Sequence, residues 1–122
     1  MELANAVKSL SALGEPTRLG IFRLLVAAGP AGLVVGQIAE QLTVSPGTLS
    51  FHLKTLHYAG LISFSKERQF IRYVANFDAM NGLVAYLTDH CCGGHPELCA
   101  PGVSNPACSP ESIITESKQD AA

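Results

Sequence analysis

The chain has 122 residues and a formal net charge of −2 at pH 7, with 48% hydrophobic and 15% charged residues. This length supports one domain with a modest core, and the composition excludes a disordered or fibrous protein. The small net charge argues against binding of a polyanion over the whole surface, although the charges are unevenly distributed along the chain. Residues 51–76 sum to +3 and residues 77–122 to −5, which separates a basic middle from an acidic end.

No apolar run approaches the ~18 residues of a membrane-spanning helix. The N-terminus, MELANAVKSL, lacks the charged start, apolar run and cleavage site of a signal peptide. We therefore expect a cytoplasmic protein that does not enter a membrane.

The first 60 residues predict four helices, because apolar residues recur there at helical spacing. Gly14 ends the first helix, and Pro16 suits the first turn of the second. The Gly29-Pro30 pair ends the second helix, and a loop, AGLVV, leads to the third. The apolar stripes of the four helices are Leu3, Val7, Leu10 and Leu13; Leu19, Phe22, Leu25 and Val26; Ile38 and Leu42; and Leu49, Leu53 and Leu56.

The tight turn 43–45 joins the third helix to the fourth, which predicts a helix-turn-helix. Ser45 suits the N-cap of the fourth helix, and Gly60 suits its C-terminal stop. In LISFSKERQFIRYVAN the period becomes alternating, which predicts a β-hairpin whose charged tip is SKERQ. A last helix follows over residues 78–90. The predicted fold is mainly α with a β-hairpin wing: a winged helix-turn-helix in the order of four helices, two strands and one helix.

The face of the fourth helix opposite its leucines is small and polar with one cation, which suits a helix that enters a DNA major groove. The residues predicted to contact DNA are Thr48, Ser50, Phe51 and Lys54 on this helix, and Lys66, Arg68 and Gln69 at the hairpin tip. Two alternatives stay open: a plain solvated helix face, and a charged tip that serves solubility. His52 is expected to be partly buried and hydrogen-bonded, and Arg72 has a nearby acid as an alternative partner.

Three segments, LGEPTRLGIFRLL, VGQIAEQLTVSPGTLSFHLKTLHYAGLI and ERQFIRYV, resemble the arsenic-responsive ArsR/SmtB family of bacterial metal-sensing repressors. The resemblance covers about residues 5–90. It implies a winged-helix homodimer that represses its own operon, binds double-stranded operator DNA and releases it when a metal ion binds. It also implies that Ser45, Thr48, Ser50 and Lys54 lie near DNA, and that the first and last helices form the dimer interface. Apolar surface for that interface is supplied by two stripes: Leu3, Val7 and Leu10; and Met80, Leu83, Val84 and Leu87. Packing of these stripes on their own domain remains an alternative.

The sequence departs from the family at the sensor site. The Cys-Val-Cys motif of the best-known arsenic sensors is absent from LVVGQIAEQL, and the acids and histidines near the last helix do not match the zinc-type spacing. All four cysteines follow residue 90, and the three closest together are Cys91, Cys92 and Cys99. Soft thiolates select thiophilic ions, and three of them suit As(III) or Sb(III). The resemblance is then to a subgroup of arsenic repressors with a cysteine site after the last helix.

Other uses of the thiols stay open. A four-ligand site for Zn(II), Cd(II) or Pb(II) would add Cys108 or a histidine. A thiol-redox regulator is a third hypothesis, although a disulfide between adjacent cysteines is strained. An arsenate-reducing enzyme is disfavoured, because a helix C-terminus opposes thiolate formation. The predicted organisation is residues 1–92 for DNA binding and dimerisation, 93–103 for a metalloid-binding loop, and 104–122 for a tail.

Overall fold

The computed structural model describes residues 1–90, 93, 95 and 98, in a unit of Met1–Asn81 and a second unit that begins at Gly82. The helices of this described part are α1 (Leu3–Leu13), α2 (Pro16–Ala28), α3 (Val35–Leu42), α4 (Pro46–Tyr58) and α5 (Phe77–Leu87). Its strands are β1 (Leu33–Val34), β2 (Ile62–Glu67) and β3 (Phe70–Ala75), in one antiparallel sheet of order β1-β3-β2. The predicted winged helix-turn-helix is confirmed.

Apolar residues of α2, α3, α4 and the sheet form the core of the first unit. Leu49, Leu53 and Leu56 of α4 are buried there, as predicted, and Ile38 of α3 is fully enclosed. In α2 the inward residues are Ile21, Phe22 and Leu25. Leu19, which belongs to the predicted apolar stripe, is exposed, because Ile21 fills the core beside Phe22 and Leu25.

Helix α1 packs mainly through small residues. Ala6, Ser9 and Ala12 are buried, and α1 contacts α2 and α4. The predicted stripe lies on the other side, where Leu3, Val7 and Leu10 are exposed. Small side chains let the helix axes approach closely, and Leu3, Val7 and Leu10 stay on the exposed side while Leu13 packs against the core.

The wing differs from the prediction at both ends. Residues Leu33 and Val34, predicted as a loop, pair with Tyr73 and Arg72 as strand β1. At the other end, β2 continues to Glu67, which pairs with Phe70. The charged tip therefore shrinks from five residues to the two-residue turn Arg68–Gln69, and Lys66 lies in β2 opposite Ile71.

The last helix is shorter than predicted. Helix α5 ends at Leu87, and residues 88–90 form a turn in which His90 has a φ of 56°. Thr88 still donates its backbone N–H to the carbonyl of Val84 over 3.1 Å, but the N–H of Asp89 bonds to Tyr86, three residues back, so the last turn tightens and the helix ends. Asp89 and His90 are therefore outside α5.

Candidate nucleic-acid interface

The N-terminus of α4 is held by a local hydrogen-bond motif. The Ser45 hydroxyl accepts a 3.4 Å hydrogen bond from the Thr48 backbone N–H and donates to the Thr48 hydroxyl over 3.0 Å. Pro46 occupies the first helical turn, where a missing N–H costs nothing. The start of α4 thus presents the hydroxyls of Ser45 and Thr48 on an exposed helix N-terminus, where they can donate to a phosphate.

The outer face of α4 is exposed over its length. Ser45, Thr48, Ser50 and Lys54 are all exposed, and so is the large Phe51 side chain at 62%. All five predicted DNA-contacting residues of this helix therefore lie on solvent-facing positions, opposite the buried leucines. Polar and cationic groups on such a helix can reach phosphates and base edges, and a phenyl ring can pack on a thymine methyl.

The wing carries three cations, and one of them, Arg72, takes up the carboxylate of Glu67. Arg72 donates to both carboxylate oxygens of Glu67, at 3.1 and 3.0 Å, and to the carbonyl of Ala31 at 3.1 Å. This confirms that Arg72 pairs with an acid. Lys66 and Arg68 are exposed, and neither forms an ion pair with another residue in the described part of the chain.

Arg68 occupies a position that usually favours glycine. Its φ is 56°, in the first place of the two-residue hairpin turn, where a β-carbon is strained. The strained backbone carries the side chain to the tip of the wing, next to Gln69. Strain of this kind is often retained where the side chain has a role that glycine could not fill.

Two histidines connect α4 to neighbouring elements, His57 to β2 and His52 to α2. His57 donates from Nδ1 to the carbonyl of Ile62 over 3.3 Å, and its ring lies 4.9 Å from that of Phe64. Phe64 in turn packs on Tyr73, whose pKa is raised above the usual 10.0 by burial. His52 is 8% exposed and contacts Arg18, so the predicted partly buried, hydrogen-bonded histidine is confirmed.

The sequence analysis does not identify Arg18 as a partner of α4. The signal that could have found it is His52 itself, because a histidine on the inner edge of a helix needs a buried donor or acceptor. Arg18 is 34 residues away, so only the fold identifies it.

The predicted sensor residues Cys91, Cys92 and Cys99 lie outside the described residues, as does Cys108. Within the described part of the chain, no three His, Cys, Asp or Glu side chains come together as a metal site. The helices described here also include none long and apolar enough to cross a membrane.

The fold and the exposed helix define a winged helix-turn-helix of the kind that reads DNA. A family described as helix-turn-helix domain matches residues 13–63. The ArsR-like transcriptional regulator from Rhodococcus sp. RHA1 is 30% identical, with a TM-score of 0.61 over 69% of this chain and 76% of that one. HlyU from Vibrio cholerae N16961 is 34% identical, with a TM-score of 0.58 over 71% of this chain and 97% of that one. This chain belongs to the ArsR-like family of winged helix-turn-helix transcriptional regulators.

Characterised relatives agree with this assignment. The transcriptional repressor SdpR of Bacillus subtilis (strain 168) is 30% identical over 87 residues, 71% of this chain and 93% of SdpR. The nodulation protein NolR of Rhizobium meliloti is 35% identical over 80 residues, 66% of this chain but only 63% of NolR.

Proposed function

We propose that this protein is a transcriptional repressor that binds operator DNA as a homodimer and is released by As(III). The observation that carries the DNA-binding part is the exposed outer face of α4, with Ser45 and Thr48 at its start and Lys54 in its middle. The unpaired wing cations Lys66 and Arg68 supply a second set of groups for the DNA backbone. Base edges would be read by α4 in the major groove, while the wing would contact phosphates or the minor groove.

Exposed apolar residues support the homodimer. On α1, Leu3 is 67% exposed, Val7 56% and Leu10 44%, and the side chains of Val84 and Leu87 in the second unit are also exposed. Exposure of an apolar stripe such as that of α1 to water is unfavourable unless a partner covers it. A two-fold dimer would place its two α4 helices about 34–36 Å apart, in successive major grooves.

The DNA-binding part is tested by neutralising one cation. Lys54→Gln is expected to weaken binding about tenfold or more to a duplex that the wild-type protein selects from a random pool, because a charge-assisted phosphate contact is lost from each subunit. The slope of log affinity against log salt should fall by about 1 for each lost contact. Both quantities are measured by fluorescence anisotropy at several salt concentrations.

Arg23→Gln is the matched control, since it removes one exposed positive charge from α2 instead of α4. It should leave affinity within about twofold, because exposed charges more than about 10 Å from the phosphates are screened at 0.1 M salt. If the two variants lose affinity equally, DNA is not read by α4.

The inducer is proposed from the chemistry of the sequence. Cys91, Cys92 and Cys99 follow α5 closely, and three soft thiolates match the preference of As(III), or of Sb(III), for sulfur. Zn(II), Cd(II) or Pb(II) would need a fourth ligand for the usual tetrahedral site, and Cys108 is the remaining thiol.

X-ray absorption on the arsenite-loaded, reduced protein tests this ligand set. We expect one arsenic per chain, surrounded by sulfur with a coordination number of about three, as the softness of the ion favours. In Cys99→Ser the sulfur number should fall to about two or the arsenic should be lost, whereas Cys108→Ser should leave it at three. A loss of one sulfur in Cys108→Ser would contradict the three-cysteine site.

A further inference from the structure

One arginine joins the DNA-facing helix to two other helices. Nη1 of Arg18 lies 3.2 Å from Nδ1 of His52 in α4, and Nε of Arg18 donates to the carbonyl of Ala12 in α1 over 2.6 Å. The backbone N–H of Arg18 donates to the carboxylate of Glu15, the N-cap of α2, over 2.9 Å. The ends of α1 and α2 and the middle of α4 therefore meet at this residue.

The chemistry of the contact defines the state of His52. A guanidinium only donates hydrogen bonds, so Nδ1 of His52 must accept, and the ring is neutral with its proton on Nε2 while the contact lasts. Glu15 lies 3.8 Å from the same nitrogen, beyond hydrogen-bonding distance, and serves mainly to hold Arg18 at the start of α2. With His52 only 8% exposed, water does not readily replace the arginine.

This contact differs in kind from the other contacts that hold the inner face of α4. Leu49, Leu53 and Leu56 are attached through apolar burial, which is not directional. A hydrogen bond fixes an angle as well as a distance, so the bond to His52 can set the rotation of α4 about its own axis. The preceding residue, Phe51, packs the edge of its ring against the His52 ring, with the ring centroids 5.4 Å apart. A change at His52 therefore reaches the exposed face directly.

We propose that Arg18 and His52 are positioning residues for DNA recognition: their hydrogen bond sets the orientation in which α4 presents Ser50, Phe51 and Lys54. The inference rests on the proposed DNA-binding function. It assigns a role in sequence discrimination to two residues that do not touch DNA themselves. Loss of the bond should affect the selected duplex, which needs base edges in register, more than a random duplex, which needs only charge.

The experiment compares two substitutions of one residue. His52→Leu keeps a similar volume but has no acceptor, whereas His52→Asn keeps an acceptor oxygen close to the position of Nδ1. Affinities are measured for a duplex selected by the wild-type protein from a random pool and for a duplex of random sequence, and unfolding midpoints are measured in urea. His52→Leu should bind the selected duplex about tenfold more weakly while its binding to the random duplex changes less than about twofold. His52→Asn should recover most of the lost preference.

Arg18→Lys is a second variant that keeps the charge, but one ammonium cannot reproduce the planar fork that reaches both Ala12 and His52. It should show the same selective loss. The inference is overturned if His52→Leu keeps the wild-type ratio of the two affinities, if it loses both affinities in parallel with its unfolding midpoint, or if His52→Asn behaves like His52→Leu. A wild-type protein that selects no sequence at all would overturn the proposed function and this inference with it.

Discussion

Gly32→Ala is expected to lower the free energy of unfolding by about 3–5 kcal/mol, because the new methyl group meets both a forbidden backbone conformation and a filled space. Gly32 follows the 3₁₀ turn Gly29–Ala31 with φ 62° and ψ −164°, a region that only glycine adopts readily. A β-carbon there would overlap the carbonyl oxygen of Tyr73 and lie 2.9 Å from Cγ2 of Val74. The carbonyl belongs to the backbone of β3 and cannot swing aside like a side chain.

Gly29→Ala provides the matched control. Gly29 has nearly the same backbone conformation, φ 74° and ψ −159°, but a β-carbon there has no atom within 4 Å. It should lose only the conformational part, about 1–3 kcal/mol. The difference between the two variants, about 1–3 kcal/mol, measures the overlap with β3. Urea unfolding of both variants gives these values, and equal losses would show that the backbone of β3 moves away from residue 32 without cost.

The other large effect concerns the inducer. Arsenite is expected to weaken binding of the reduced protein to its selected duplex about 5–150-fold, the range of a coupling of about 1–3 kcal/mol. One ion bound by Cys91, Cys92 and Cys99 would tie together a chain segment that directly follows the proposed dimer helix α5. We expect a change there to alter the spacing of the two α4 helices in the proposed dimer, to which a two-fold operator is sensitive. The measurement is anisotropy of labelled duplex during an arsenite titration.

Single cysteine variants give this titration its controls. Cys99→Ser should bind DNA as the wild type does and lose most of the response, while Cys108→Ser should respond normally. DNA that stays bound at saturating arsenite, with all thiols reduced, would refute arsenic sensing. Release by Zn(II), Cd(II) or Pb(II) that depends on Cys108 would favour the four-ligand alternative, and release by peroxide in metal-free buffer would favour the redox alternative.

Local patterns in the sequence are sufficient to predict α4 and the wing. The leucine spacing of α4 and its caps Ser45 and Gly60 predict the helix and its exposed side correctly, because helical period and capping are properties of neighbouring residues. The wing was predicted for the same reason, since alternation and turn residues are also local. The identity of the inducer stays a prediction from the sequence, as the three cysteines lie outside the described residues.

Where the structure differs from the prediction, contacts that no apolar pattern reveals decide the outcome. Strand β1 is two residues long and exists only because Leu33 and Val34 meet Tyr73 and Arg72 about 40 residues away along the chain. Periodicity likewise does not reveal which apolar residues of α2 pack inward, where Ile21 is buried and Leu19 is exposed. Helix α5 ends earlier than the apolar pattern indicates, because the N–H of Asp89 bonds three residues back to Tyr86 and does not continue the helical ladder.

The sequence alone determined the class of fold and the solvent-facing side of α4, since both depend on residue type and short-range spacing, and the set of soft ligands stays a prediction from it. The tertiary structure decided which charges are paired, because Arg72 contacts Glu67 and Ala31, whereas Lys66 and Arg68 form no ion pair among the residues that the structure describes. It also decided how α4 is held, through the contact of Arg18 with His52. Such pairings join residues far apart in the chain, and no local pattern encodes them.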